Sequence, residues 1–467
     1  MGTPNANGEP RFSFWPRVRQ FAVPASMIET ATARRLAGDW AGACAAAGID
    51  VDLNLRSLAR DHGREAAARV RDDLRALAPD LLRWHMPRIA PDGLLRPGVT
   101  LALARYAGTG RGRRQPLQLV VRTPPAWADA GQRISLALWD GGHGRGGGAP
   151  PDGPAPPHPH PRPSRRFRLD LHRHLWDARR VGELRTRAGA GAGPDLPGDG
   201  VPYGSLCAVD RWADEASLLL RAEGRSRGAV VVRLGDRHRV LLQVSGDGAG
   251  GPRVVECAGR RASASPSLPV LPDAATWVLP DLELLRAGAI DAGRLHPLVA
   301  SALVPERSGA GNARPAEGHG SVRYVTCRGD RHRIGLVDGV LAPLDHAPDE
   351  IRREELLAAL TGTPLPCLQA IDDAHRRPEC LPDVRERLSH GDIAGALAVV
   401  EGLLGPDAVL RAGALRDELE AIARRRVAYG LFRAGLAGPG PGPVRYDERV
   451  PQRSGAHRAR PRHATFS

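Results

Sequence analysis

The chain has 467 residues, 42% hydrophobic and 25% charged, with 55 Gly, 42 Pro and a formal net charge of +14. No apolar run approaches the roughly 18 residues that cross a bilayer, and all 66 basic residues are Arg. Without lysine there is no Walker A loop, no kinase ATP-binding lysine and no Schiff base, so P-loop NTPases, protein kinases and pyridoxal enzymes are excluded.

The six cysteines, Cys44, Cys207, Cys257, Cys327, Cys367 and Cys380, never form a CxxC pair. A zinc ribbon and a thioredoxin motif are therefore not expected. The first twenty residues lack the apolar stretch of a secretory signal, and Ala6 stands where a myristoylation signal needs Ser or Thr. A cytoplasmic, reducing setting with cysteines as small hydrophobes is the expectation.

Residues 1–20 read as a polar arm. A helix through ATARRLA, broken by Gly38 and Asp39, is followed by a second over WAGACAAA. Ala66, Val70, Leu74, Leu77, Leu81 and Trp84 recur at steps of three and four, which predicts an amphipathic helix interrupted at Pro79. VTLALARY, LQLVVRT and RISLALWD then read as three strands of an antiparallel meander. These elements define an α+β domain over 21–140.

Residues 141–165 read as a Gly/Pro/His-rich linker. The central α+β region, 166–306, opens with FRLDLHRHLWDARRVGELRTR, read as a helix after a short extended entry, and holds a hairpin from GAVVVRL and RVLLQV. PRVVECAG is read as a further strand. A linker at 307–320 precedes a hairpin and an α-helical domain over 321–435. Residues 436–467 read as a basic, disordered tail. The fold class expected is α+β and multi-domain, with antiparallel hairpins and a helical hairpin near each end.

Two short sequences recur. GDRHR occupies 235–239 and 329–333, each time between strand-like runs. GDWAGA at 38–43 matches GDIAGA at 391–396. Gly-Asp can end one helix and cap the next, and the Ala-Gly-Ala run lets helices pack closely.

Arginine is clustered. Residues 105–122 hold five Arg and no acid, 161–187 nine Arg against three acids, and 443–467 six Arg against two. Arg111, Arg113, Arg114, Arg165, Arg166 and Arg168 are the candidate phosphate contacts of a nucleic-acid-binding reading. Few aromatics accompany them, so base stacking is poorly supported. A GC-rich codon usage explains the same charge without a polyanion.

His172 and His174 would share a face if extended. Cys367, His375, Cys380 and His390 have zinc-type side chains at non-finger intervals, and buried cysteines with surface histidines is the simpler reading. Asp349, Glu350, Glu354 and Glu355 cluster at a helix start and oppose its dipole. No catalytic, cofactor or metal set is assigned. The leading expectation is a non-catalytic interaction or scaffold protein. It would bind an unidentified protein partner through helical-hairpin surfaces, with Trp40 and Ile393 as apolar contacts. Nucleic acid is the alternative partner, and a hydrolase built from Asp236, His238, Asp330 and His332 comes third.

Overall fold

A computed structural model describes residues 14–106, 116–129, 131–140, 162–189, 206–235, 238–245, 268–305 and 323–436. They fall into two compact units. The first lies within 14–127 and 132–305, and the second takes 323–436 with 128, 129 and 131. Arg111, Arg113, Arg114, Asp236, the strand read over PRVVECAG, most of both linkers and the tail lie outside the described residues.

The first unit opens with α1 (Trp15–Arg17), which passes into a wide turn at Val18–Ala22. Phe14, Trp15, Val18 and Ala22 are buried in the core. This part of the expected polar arm is therefore structural, because its apolar residues recur at helical spacing and outweigh the Arg and Pro between them. Next come α2 (Ala25–Leu36), α3 (Trp40–Ala46), β1 (Ile49–Asp52), α4 (Leu55–His62), α5 (Arg64–Ala76) and α6 (Pro79–His85). The long periodic helix divides at Pro79, which takes the first position of α6, where its missing N–H costs nothing.

After a small ladder of β2 (Arg88–Ile89) and β3 (Leu94–Leu95), the expected meander forms from β4 (Thr100–Tyr106), β5 (Leu117–Arg122) and β6 (Ile134–Trp139). The sheet order is β1-β6-β5-β4, with β1 parallel to β6 at the edge. Arg133 clamps this edge by donating to both oxygens of Asp50, at 2.9 and 2.7 Å.

Residues 169–183 do not form the expected helix. They make a series of tight 3-10 turns before α7 (Leu184–Arg187). Side chains here satisfy the backbone locally: Trp176 Nε1 donates to the Leu169 carbonyl at 3.0 Å, and His172 Nδ1 lies 3.0 Å from the Arg168 carbonyl. The unit continues with α8 (Trp212–Ala222), the hairpin of β7 (Gly228–Leu234) and β8 (His238–Val244), α9 (Asp273–Thr276), α10 (Pro280–Arg286) and α11 (Pro297–Leu303). One core joins Leu74, Leu81 and Leu119 to Trp176, Leu284 and Val299. Regions 21–140 and 166–306 thus share a core.

The second unit stacks a three-stranded sheet with helices. β9 (Arg323–Cys327), β10 (Asp330–Val337) and β11 (Val340–Pro343) are antiparallel, with β10 central. They precede α12 (Pro348–Thr361), α13 (Pro366–Arg376), α14 (Leu381–His390), α15 (Ile393–Leu404) and α16 (Ala414–Arg433). Ile334, Leu341, Ile371, Val384, Leu404 and Leu415 centre its core. Both units mix helices with mainly antiparallel strands, so the fold is α+β. Among the described residues, no helix is long and apolar enough to cross a membrane.

The GDRHR copies both lie at hairpins, in different registers. Cys327 pairs with Asp330 across a tight turn, whereas Leu234 pairs with His238. His332 therefore lies inside β10, paired with Val325, whereas His238 is the first paired residue of β8. The GD-x-AGA copies, by contrast, build one device twice. Gly38 and Gly391 end α2 and α14 with φ of 77° and 89°. Asp39 and Asp392 then cap α3 and α15, accepting from Gly42 N at 2.8 Å and Gly395 N at 2.9 Å. An arginine five residues upstream holds each cap: Arg34 to Asp39 at 3.0 Å and Arg387 to Asp392 at 2.8 Å. A Cβ at Gly395 would stand 2.1 Å from Asp392 Oδ2. Asp392→Ala is expected to cost about 1 kcal/mol, and Gly395→Ala a similar amount by expelling the cap. Urea unfolding midpoints of the two variants check this.

Candidate functional site

Two of the arginines of the phosphate-binding reading, Arg166 and Arg168, are engaged internally. Arg166 Nε reaches Asp273 at 2.5 Å. Arg168 is buried and forks onto both oxygens of Asp170 at 2.8 Å. Arg187 does the same to Glu215 at 2.7 and 2.8 Å. Arg173 pairs with Asp73 and, at 2.9 Å, with Asp177. Arg165 is exposed. Trp40 is half-buried against the core of the first unit, and Ile393 against that of the second.

His172 and His174 are both buried, with rings edge-to-face at 5.8 Å. His172 Nε2 lies 3.1 Å from Glu215, an acid whose carboxyl is held well below its usual range. Burial opposes that lowering, and the His172 and Arg187 hydrogen bonds overcome it. His375 and His390 are buried, which corrects the surface reading: each lies near the C-terminal end of its helix, α13 or α14, with its side chain turned away from solvent. His238 belongs to the first unit, Asp330 and His332 to the second.

The second unit brings together three side chains that lie far apart in sequence. Cys327 ends β9, His346 precedes α12, and Cys367 lies in the first turn of α13. Their two sulfurs and one His346 ring nitrogen lie within 4.8 Å of one another. Both cysteines are fully buried, and the His346 side chain is 4% exposed. His346 Nδ1 lies 3.3 Å from Glu350, and its Nε2 has no hydrogen-bond partner. His332 stacks on the His346 ring, 4.4 Å between centroids and 7° from parallel. Arg328 anchors the acid, donating to Glu350 at 3.2 Å and also to Glu354. Burial pushes the Cys367 thiol up to about 11. Of Cys367, His375, Cys380 and His390, only Cys367 joins this cluster; Cys327 comes from β9 and His346 from the segment between β11 and α12.

The first unit holds a buried polar network. Asp281 on α10 accepts from Arg19 Nη2 at 2.6 Å and from Trp84 Nε1 at 3.1 Å. The Arg19 guanidinium lies over the Trp84 ring at 4.7 Å. His85 Nδ1 lies 3.1 Å from the carbonyls of Leu81 and Leu175, so this nitrogen carries the proton. Asp80 accepts from His296 Nε2 at 2.9 Å, while His296 Nδ1 accepts from Leu298 N. A cavity of about 20 Å³ beside Asp281 is lined by Trp15, Trp84, His85, Asp273 and Trp277. That is room for one water, not for a substrate.

No protein-family model matches the chain, and no curated protein or solved structure matches it either.

Proposed function

We propose that this is a non-catalytic interaction protein of the cytoplasm, and that its contact surface is helical. One observation supports this reading above the others. α12 is fourteen residues long and buries none of them. Ile351, Glu354 and Ala358 form its half-buried face. Arg352, Glu355, Leu356, Ala359 and Leu360 form an opposite stripe, with Leu356 66% and Leu360 86% exposed. Such a stripe ordinarily faces a partner.

The partner proposed is a second copy of the chain. A twofold contact requires a surface that complements itself. Two copies of α12 crossing antiparallel at Leu356 set leucine on leucine and lay the aliphatic stem of Arg352 over the other copy's Leu360. Such a helix pair is smaller than the roughly 800 Å² per partner of a standard interface. A concentration-dependent dimer is therefore expected, read by sedimentation equilibrium of the full chain. Leu356→Glu with Leu360→Glu is expected to leave a monomer of unchanged circular dichroism. A wild-type chain that stays monomeric up to about 100 µM overturns the reading. So does a dimer that the double variant leaves intact, or an assembly that depends on added nucleic acid.

The Arg-rich nucleic-acid reading ranks below this one, since Arg166 and Arg168 are held by Asp273 and Asp170.

A further inference from the structure

The Cys327–His346–Cys367 cluster has the features of a metal centre rather than of ordinary packing. Two fully buried thiols and one imidazole converge from three separate elements: a hairpin strand, a loop and a helix start. The imidazole is oriented. Glu350 takes its Nδ1 side, which leaves Nε2 as the nitrogen for the cysteines. A buried ring nitrogen without a partner is costly in an apolar setting. The carboxylate–imidazole pair behind it is the arrangement that fixes the tautomer of a metal-bound histidine. Arg328, next to Cys327 in the hairpin turn, holds that carboxylate in turn.

We infer that Cys327 Sγ, Cys367 Sγ and His346 Nε2 bind a zinc ion, with Glu350 as the positioning residue behind His346. The chemistry selects this class of metal. Two thiolates and an imidazole suit zinc, and carboxylate-preferring Mg²⁺ and Ca²⁺ do not fit. Ligands about 2.3 Å from a tetrahedral ion stand about 3.8 Å apart. The observed limit of 4.8 Å is within about 1 Å of that separation. The three protein ligands leave one position for water or a group from another molecule. Binding exchanges two thiol protons for the ion, so both protons leave to solvent and no redox step occurs. The bound ion would staple the β9–β10 hairpin to the start of α13. This inference stands independently of the proposed dimer.

The full-length chain, purified without a metal-affinity tag and dialysed against a weak chelator, should retain one zinc ion per chain by elemental analysis. Cobalt exchange should give a thiolate-to-cobalt charge-transfer band and the visible bands of a tetrahedral site. Cys327→Ser and Cys367→Ser should each abolish both signals, whereas Cys380→Ser and His375→Ala should leave them. Glu350→Gln should weaken zinc binding about 10- to 100-fold without abolishing the cobalt spectrum. If the cysteine variants do not fold, the wild-type chain still decides. Thiol labelling with mass mapping should find Cys327 and Cys367 protected until a strong chelator is added. Metal below about a tenth of an equivalent, a Cys327–Cys367 disulfide in the reduced preparation, or zinc that survives both cysteine substitutions overturns the inference. The last outcome would place the metal on the chain's other histidines.

Discussion

Asp281→Ala is expected to destabilise the first unit by about 3–5 kcal/mol, enough to unfold a marginal protein. The carboxylate is 1% exposed and accepts from Arg19, itself 7% exposed, and from Trp84. Removing it leaves a buried guanidinium without its counter-charge and an indole N–H without its acceptor. The largest mutational losses come from such stranded groups, not from the pair's own attraction. The double variant Arg19→Met with Asp281→Leu removes the charge together with its partner. It should therefore lose less than Asp281→Ala alone, although it still orphans the Trp84 N–H. Urea unfolding followed by tryptophan fluorescence measures both. A loss under about 1 kcal/mol for Asp281→Ala would show that solvent or another group takes over the guanidinium.

This network could not be read from the sequence, because Arg19, Trp84 and Asp281 come from distant parts of the chain and nothing in their spacing links them. The same holds for the metal cluster. Its ligands lie about twenty residues apart on a strand, a loop and a helix, outside the short intervals that sequence motifs register. Grouping Cys367 with its sequence neighbours His375, Cys380 and His390 followed chain order, whereas the hairpin brings Cys327 across from elsewhere. What was legible was local. The Gly-Asp devices at 38–43 and 391–396 depend on hydrogen bonds within three residues, so their letters predict their geometry. The three-strand meander was legible because β4, β5 and β6 are apolar runs buried along nearly their whole length. β1 was missed because IDVD carries two acids and owes its place to parallel pairing with β6. The acids at the start of α12 illustrate both cases. Asp349 and Glu350 do lie in the first turn, as dipole arguments expect, yet Glu350 also supports His346.

Lowering the pH from 7 to about 5 should weaken the first unit, and His85 should account for much of the slope. Burial holds its imidazole down at about 4, against an ordinary 6.5. The unfolded chain therefore binds this proton below about pH 6.5, while the folded chain resists it until about pH 4. In that window the unfolded state carries more protons, so stability falls as pH falls. The full loss, reached below about pH 4, is about 3 kcal/mol. His174, also buried and lowered well below the usual histidine range, pulls in the same direction. The Glu215 carboxyl titrates lower still, so its contribution is lost only under more acidic conditions. His85→Gln keeps a donor for the Leu81 and Leu175 carbonyls but cannot titrate. Chemical unfolding at pH 7, 6 and 5 should show a shallower pH slope for this variant than for the wild-type chain, whatever its absolute stability. Parallel slopes would mean that His85 is hydrated in the folded state and that the acid sensitivity arises at His174 or elsewhere.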